Sequence, residues 1–177
     1  MKKAFIAMIL VLLILIPSVG ATEAKTQFGA GAMVGYPFNG AIGTFDISDK
    51  WDVQLGLGYG LGSFRYNYGY GYAGSAAYGF FAIDVASNYD VYTFDIDANN
   101  KLSITAGGEI TLGIGGSYSG FSLIIMAVPG LSYTIPSLPL DLFLRIPLGV
   151  NIFFLGNGGG THVSFAGGGQ LGAVWNF

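Results

Sequence analysis

The chain is predicted to be all-β, an antiparallel up-and-down barrel that crosses a membrane. Three observations carry this. Apolar residues recur with period two over most of the chain, the periodicity of a strand rather than a helix. Charged residues are only 10% of the sequence and mean hydropathy is +0.57, whereas soluble proteins carry roughly a quarter charged residues. Apart from its first residues, the chain has no long apolar run of the ~20 residues that a spanning helix needs.

That first run is a leader. Met1-Lys2-Lys3 is positive, residues 4–16 are uninterrupted apolar, Pro17 breaks them, and Val19-Gly20-Ala21 offers small residues for cleavage. The expectation is a signal peptide over 1–21, removed in the mature protein, and one domain over 22–177. There is no cysteine, so disulfides and thiolate chemistry are excluded. Past the leader five basic residues, Lys25, Lys50, Arg65, Lys101 and Arg145, stand against ten acidic ones, a net charge of −5. A basic face for nucleic acid is absent.

The strands follow in order. Phe28, Ala30, Ala32, Val34 and Tyr36 share one face. Pro37-Phe38-Asn39-Gly40 turns the chain into a second strand over 41–47, and Ser48-Asp49-Lys50 turns it again. In the third, Trp51, Val53, Leu55, Leu57, Tyr59 and Leu61 oppose Asp52, Gln54, Gly56, Gly58, Gly60 and Gly62. After a Tyr/Gly-rich segment, a fourth strand alternates Phe81, Ile83 and Val85 with Phe80, Ala82 and Asp84. Its phase then inverts, because Tyr92, Phe94 and Ile96 fall on the other parity. Either a β-bulge resets the strand or an additional strand begins. The fifth strand carries Leu102 to Ile114 at even positions, the sixth Phe121 to Tyr133 at odd ones, and the seventh Leu142 to Phe154 at even ones. The last is read from His162 to Phe177. With the bulge the count is eight, and an even count sets both termini on one side.

The two faces say which is outside. Between Leu102 and Ile114, and between Leu142 and Phe154, the apolar parity has no charge. The other parity holds Gly, Ser, Thr, Asn and Gln with Asp46, Asp84, Glu109 and Arg145, although Phe143 and Phe153 break that rule. Such faces cannot make the charged exterior of a soluble protein, but they suit a lumen with the apolar faces turned to lipid. The seventh strand spans twelve steps, about 40 Å at ~3.3 Å each, which a tilt of ~40–45° reduces to roughly 28–31 Å, the hydrocarbon thickness. Aromatics bracket the faces, as in Trp51 with Tyr59, Phe121 with Tyr133 and Phe165 with Trp175, where ring and headgroup meet.

The terminal octapeptide adds a resemblance. Gln170, Gly172, Trp175 and Phe177 resemble the C-terminal assembly signal of bacterial outer-membrane β-barrels. Across the mature chain the pattern resembles small eight-stranded proteins of the OmpA, OmpX and OmpW kind. That resemblance implies the outer membrane with both termini periplasmic. It also implies partners in outer-membrane lipid and, during biogenesis, the Sec translocon and the barrel-assembly machinery.

Four groups of residues bear on function. Glu109 and Arg145 face the lumen by parity, either as a gate or as a buried ion pair that fills it, with Asp46 and Asp84 joining. An eight-stranded interior is just wide enough to be filled by side chains, which favours the pair. Arg65, Tyr66, Tyr68, Tyr70 and Tyr72 form a tyrosine-glycine segment on the extracellular side of the expected topology. Its rings suit recognition of an extracellular ligand or an outer girdle. His162 and Ser164 form an H-x-S pair that looks like the one in outer-membrane lipid A deacylases. No acid accompanies it, Phe165 replaces that family's asparagine, and the pair points to the lumen. With one histidine and no cysteine, a transition-metal site is not expected, nor is any cofactor or catalytic residue. Glycine triplets at 158–160 and 167–169 lack the Lys-Ser/Thr of a phosphate loop and suit strand bends. The expected function is a non-enzymatic barrel with a structural or surface-interaction role and a plugged lumen. The alternatives are a narrow channel for small or hydrophobic solutes, favoured by the luminal glycines, and a lipid-modifying enzyme.

Overall fold

A computed structural model describes residues 27–67, 73–96, 100–115, 120–135, 137–156 and 160–177, with the side chains of 63–67 and 73–76 outside the description. The expected leader over 1–21 and Tyr68, Tyr70 and Tyr72 lie outside the described residues, as do the side chains of Arg65 and Tyr66. No helix among them is long and apolar enough to cross a membrane, which says nothing about strands.

Eleven segments build eight staves: Phe28–Gly35 (β1), Phe38–Ser48 (β2), Trp51–Asn67 (β3), Ala73–Asp95 (β4), Lys101–Gly115 (β5), Gly120–Ala127 (β6), Gly130–Ile135 (β7), Leu140–Arg145 (β8), Leu148–Phe154 (β9), Thr161–Gly167 (β10) and Gln170–Asn176 (β11). Each stave pairs antiparallel with the next, and β11 pairs with β1 to close the barrel. Closure is what an apolar solvent demands, because an open edge leaves unpaired backbone groups.

The fourth strand is a single strand. Its ladder to β5 runs in register from Phe81↔Ile114 to Asp90↔Thr105 and resumes at Tyr92↔Ile104, so one residue, Val91, is extra. A bulge adds one residue to one strand, which inverts the parity beyond it. This is why Tyr92 and Phe94 continue the apolar exterior begun by Val85.

The last three staves each carry a two-residue interruption, at Val128-Pro129, Ile146-Pro147 and Gly168-Gly169. Pro129 and Pro147 cannot donate to a ladder. The residue before each proline keeps one bond: Val128 N–H donates to Gly107 O (2.9 Å) and Ile146 N–H to Pro129 O (2.9 Å). Gly168 N–H donates to Pro147 O, Tyr36 N–H to Gly169 O and Leu61 N–H to Pro37 O, so the row continues around the wall to the β1–β2 turn. An interruption of two residues preserves period two, and the staves keep their faces.

That turn is shorter than the sequence suggests. β2 begins at Phe38, because Asn39 closes the hairpin: its Oδ1 accepts from Gly35 N–H and its Nδ2 donates to Gly35 O, both at 2.9 Å. Gly35 has φ +146° and packs against the Gly169 carbonyl, a conformation and an approach that a Cβ would not allow.

The exterior is apolar. Leu55 and Leu57 are 61% and 59% exposed, and Tyr59, Phe81, Ile114, Leu144, Ile146 and Leu171 are also exposed. The residues between them turn inward and are mostly buried. A soluble protein does not present such a continuous apolar belt; a barrel in lipid does.

Candidate functional site: the lumen and a polar vestibule

The lumen has three levels, each set by which side chains its staves turn inward. Near one end it is aromatic. Phe38, Tyr78, Phe80 and Phe153 are buried there. Tyr78 packs on Phe153 with ring centroids 4.3 Å apart and on Phe80 at 5.6 Å. These rings fit because glycines face them. A Cβ at Gly60 or Gly113 would collide with Phe80, at Gly56 with Phe38, at Gly62 with Tyr78 and at Gly120 with Phe153. These glycines are therefore seats for rings rather than open space. Tyr78 also binds a neutral trio: Asn151 Nδ2 donates to its hydroxyl (3.1 Å), the hydroxyl lies 3.3 Å from Ser122 Oγ, and Ser122 donates to Asn151 Oδ1 (2.8 Å).

The middle level is ionic. Arg145 Nη1 donates to Gln54 Oε1 (3.0 Å), and the guanidinium carbon sits 3.9 Å from the centre of the Phe143 ring. Gln54 Nε2 lies 3.5 Å from Asp84 Oδ2. Thr111 donates to Asp84 Oδ1 (2.8 Å) and lies 3.4 Å from Glu109 Oε1. Gln170 Nε2 bonds both Glu109 oxygens, at 2.8 and 3.0 Å. Glu109, Asp84 and Arg145 thus meet in one buried network. Among the described residues, however, the hydrogen-bond partner of Arg145 is an amide and not Glu109. An amide both donates and accepts, so Gln54 can join a cation to a carboxylate. Gln54 and Gln170 are fully buried. Parity places both in the lumen, but their bridging role follows only from register.

The third level is a vestibule at the end of the barrel that carries the C-terminus. It has a volume of about 70 Å³ and is lined by Asp46, Asp52, Asn88, Asp90 and Asp141, with Arg145 among its lining residues. Asp46 lies here rather than in the hydrogen-bonded network.

The remaining sequence candidates fall on the wall. His162 and Ser164 occupy inward positions of β10, opposite Phe153 and Asn151 of β9 in the ladder, and neither partner is a carboxylate. Phe165 between them is 73% exposed on the outer face. Of the terminal signature, Gln170 and Gly172 face inward while Trp175 and Phe177 face out. Phe177 N–H donates to Phe28 O (2.8 Å), so the last residue is held by the first stave. Phe143 lies where a Cβ on Gly172 would collide with it. Among the described residues, no group of three or more His, Asp or Glu converges as a metal centre.

Fold, exterior and lumen together define the class: a small eight-stranded transmembrane β-barrel. No family model matches the chain, and no curated protein matches it. Among solved structures it is similar to Ail, the attachment invasion locus protein of Yersinia pestis, crystallised with the heparin analogue sucrose octasulfate. That likeness covers 86% of this chain and 96% of that one, at 10% identity and a TM-score of 0.31.

Proposed function

We propose that this protein is a non-enzymatic barrel of the bacterial outer membrane, with both termini periplasmic, that acts through its exterior and its loops rather than through its lumen. The observation that supports this is the double filling of the interior. The aromatic level around Phe38, Phe80 and Phe153 and the ionic level around Glu109 and Arg145 are both buried and packed. A path for solute would have to displace rings seated against glycine backbone, and would also break a network whose charges are costly to strand.

The surface role falls to the tyrosine-glycine segment of the sequence that carries Arg65, Tyr66, Tyr68, Tyr70 and Tyr72. The terminal Gln170, Gly172, Trp175 and Phe177 serve the assembly machinery. Two assays test the reading. Washed membranes should retain the protein with heat-modifiable gel mobility, and recovery in the soluble periplasmic fraction would overturn the location. Liposomes carrying it should exclude small sugars at the rate of empty liposomes, and rapid swelling would favour the channel.

A further inference from the structure

We propose that β3 and β10 form a lateral seam in the wall, which alternates between the parted state of this structure and a zipped state held by a β3–β10 ladder. The seam goes beyond the functional reading above and stands independently of it.

The two strands present matched edges. β1 and β2 close the wall only as far as their turn, where Tyr36 N–H donates to Gly169 O and Leu61 N–H to Pro37 O. Beyond that turn, away from Phe28 and Phe177, β10 and the last part of β3 are neighbours. Among the described residues no ladder joins them: β10 pairs with β9, and β3 beyond Gly60 with β4. Successive residues of a strand turn their N–H and C=O to opposite edges. Gly160 and Gly168 bond toward the stave of β8 and β9, and Gly169 toward β1, so Val163, Phe165 and Gly167 point theirs at β3. Leu61 bonds toward β2, so Ser63, Arg65 and Asn67 point theirs at β10. One level joins Gly169, Tyr36, Pro37 and Leu61. Counting from it along two antiparallel strands, Gly167 stands opposite Ser63, Phe165 opposite Arg65 and Val163 opposite Asn67. Donors and acceptors meet in phase.

Val163 and Phe165 are 68% and 73% exposed on the outer face. Their backbone therefore belongs to the apolar exterior, where an unpaired N–H or C=O is costly. Another strand satisfies such a row. Cα atoms of β10 and β3 come within 8 Å of one another, whereas a third strand between them needs roughly 9–10 Å. The edge that fits β10 is that of β3 itself.

A hinge line lies beneath the seam. Val128-Pro129, Ile146-Pro147 and Gly168-Gly169 interrupt three adjacent staves, and their bonds form one row that ends at the β1–β2 turn. Proline gives no ladder bond, and a few residues at element ends suffice to absorb a hinge motion. Beyond that row β6, β9 and β10 are laddered to one another, so they can lean toward β3 as one sheet while the wall below stays paired. β3 continues in sequence into the tyrosine-glycine segment, so zipping tethers the base of that segment. Only this last consequence rests on the surface reading.

The chain has no cysteine, so introduced thiols report the seam alone. In the protein folded in lipid vesicles, Val163→Cys with Asn67→Cys should oxidise to a disulfide, because zipping brings the Cα atoms to about 5.5 Å, within disulfide range. Val163→Cys with Leu61→Cys, displaced along β3, should stay reduced. Before oxidation the Phe165 amide should exchange its hydrogen about 100-fold faster than those of Leu123 and Ile125, whose strand is paired on both sides. Oxidation should slow Phe165 about tenfold or more, and a reductant should restore the fast rate. Heat-modifiable mobility shows that each variant is folded, and Phe165→Cys with Arg65→Cys, read at Gly167, replaces the first pair if that pair does not fold. A folded in-register pair that stays reduced overturns the proposal, since the seam is then permanently parted. Equal cross-linking of the displaced pair overturns it too, as does slow exchange at Phe165 before oxidation, the sign of a permanently zipped wall.

Discussion

The ring of Phe80 lies where a Cβ on Gly60 would stand. The two residues are directly opposite in the β3–β4 ladder, so the glycine provides the space the ring occupies. Gly113 of β5 does the same from the other side. Gly113→Leu should therefore overpack a filled lumen. The expected cost is about 1–3 kcal/mol, read as a lower urea midpoint for unfolding in lipid vesicles. An unchanged midpoint would mean that the ring moves freely.

The converse change should open the barrel's aromatic level. Phe80→Ala with Phe153→Ala removes two buried rings, at about 3–5 kcal/mol each. The ionic level below remains, so the folded variant should stay non-conducting. Conduction should appear only when Arg145→Ala and Glu109→Ala are added. Single-channel recording of the two variants checks this order.

Arg145 and Glu109 are joined by intermediaries, and that predicts an asymmetry. Arg145→Met leaves Asp84 and Glu109 buried without a cation, at a cost of about 3–5 kcal/mol. Adding Glu109→Gln and Asp84→Asn should recover much of that loss, because the carboxylate repulsion goes with them. Gln54→Leu should also be destabilising, since it strands the guanidinium. Equilibrium unfolding of the three variants measures the coupling.

The alternation that sets lipid-facing and luminal residues was legible in the sequence because period two needs no knowledge of partners. Leu55, Leu57, Leu144 and Leu171 fall outside and Glu109, Asp84 and Arg145 inside, as parity alone requires. The eight staves were legible for the same reason. The position of the bulge was not, because its extra residue, Val91, is defined by the partner strand and not by its own side chain. Which side chains pack against one another in the lumen could not be read. Glycine on an inward face looks like empty space until register sets Phe80 beside Gly60 and Gly113. The vestibule was hidden for a related reason. Asp52, Asp90 and Asp141 are far apart in sequence, and only the closed barrel gathers them with Asn88.

Phe177 is exposed on the outer face, and its amide is bonded to Phe28. Its deletion removes one closing hydrogen bond, worth about 1 kcal/mol, which alone would not prevent folding. Any larger loss belongs to assembly. The expected outcome is a strongly reduced yield of heat-modifiable protein in cells, while the purified truncated chain still refolds in detergent. Normal yield in cells would remove the terminus from the assembly account.

The central claim is that the lumen is closed, and single-channel recording of the wild-type protein in a planar bilayer tests it most directly. The account predicts insertion, verified by recovery of heat-modifiable protein from the membrane, with no stepwise conductance in molar KCl. Regular, reproducible conductance steps from the wild type would contradict it, because they would mean that ions pass both the rings around Phe80 and the network around Glu109.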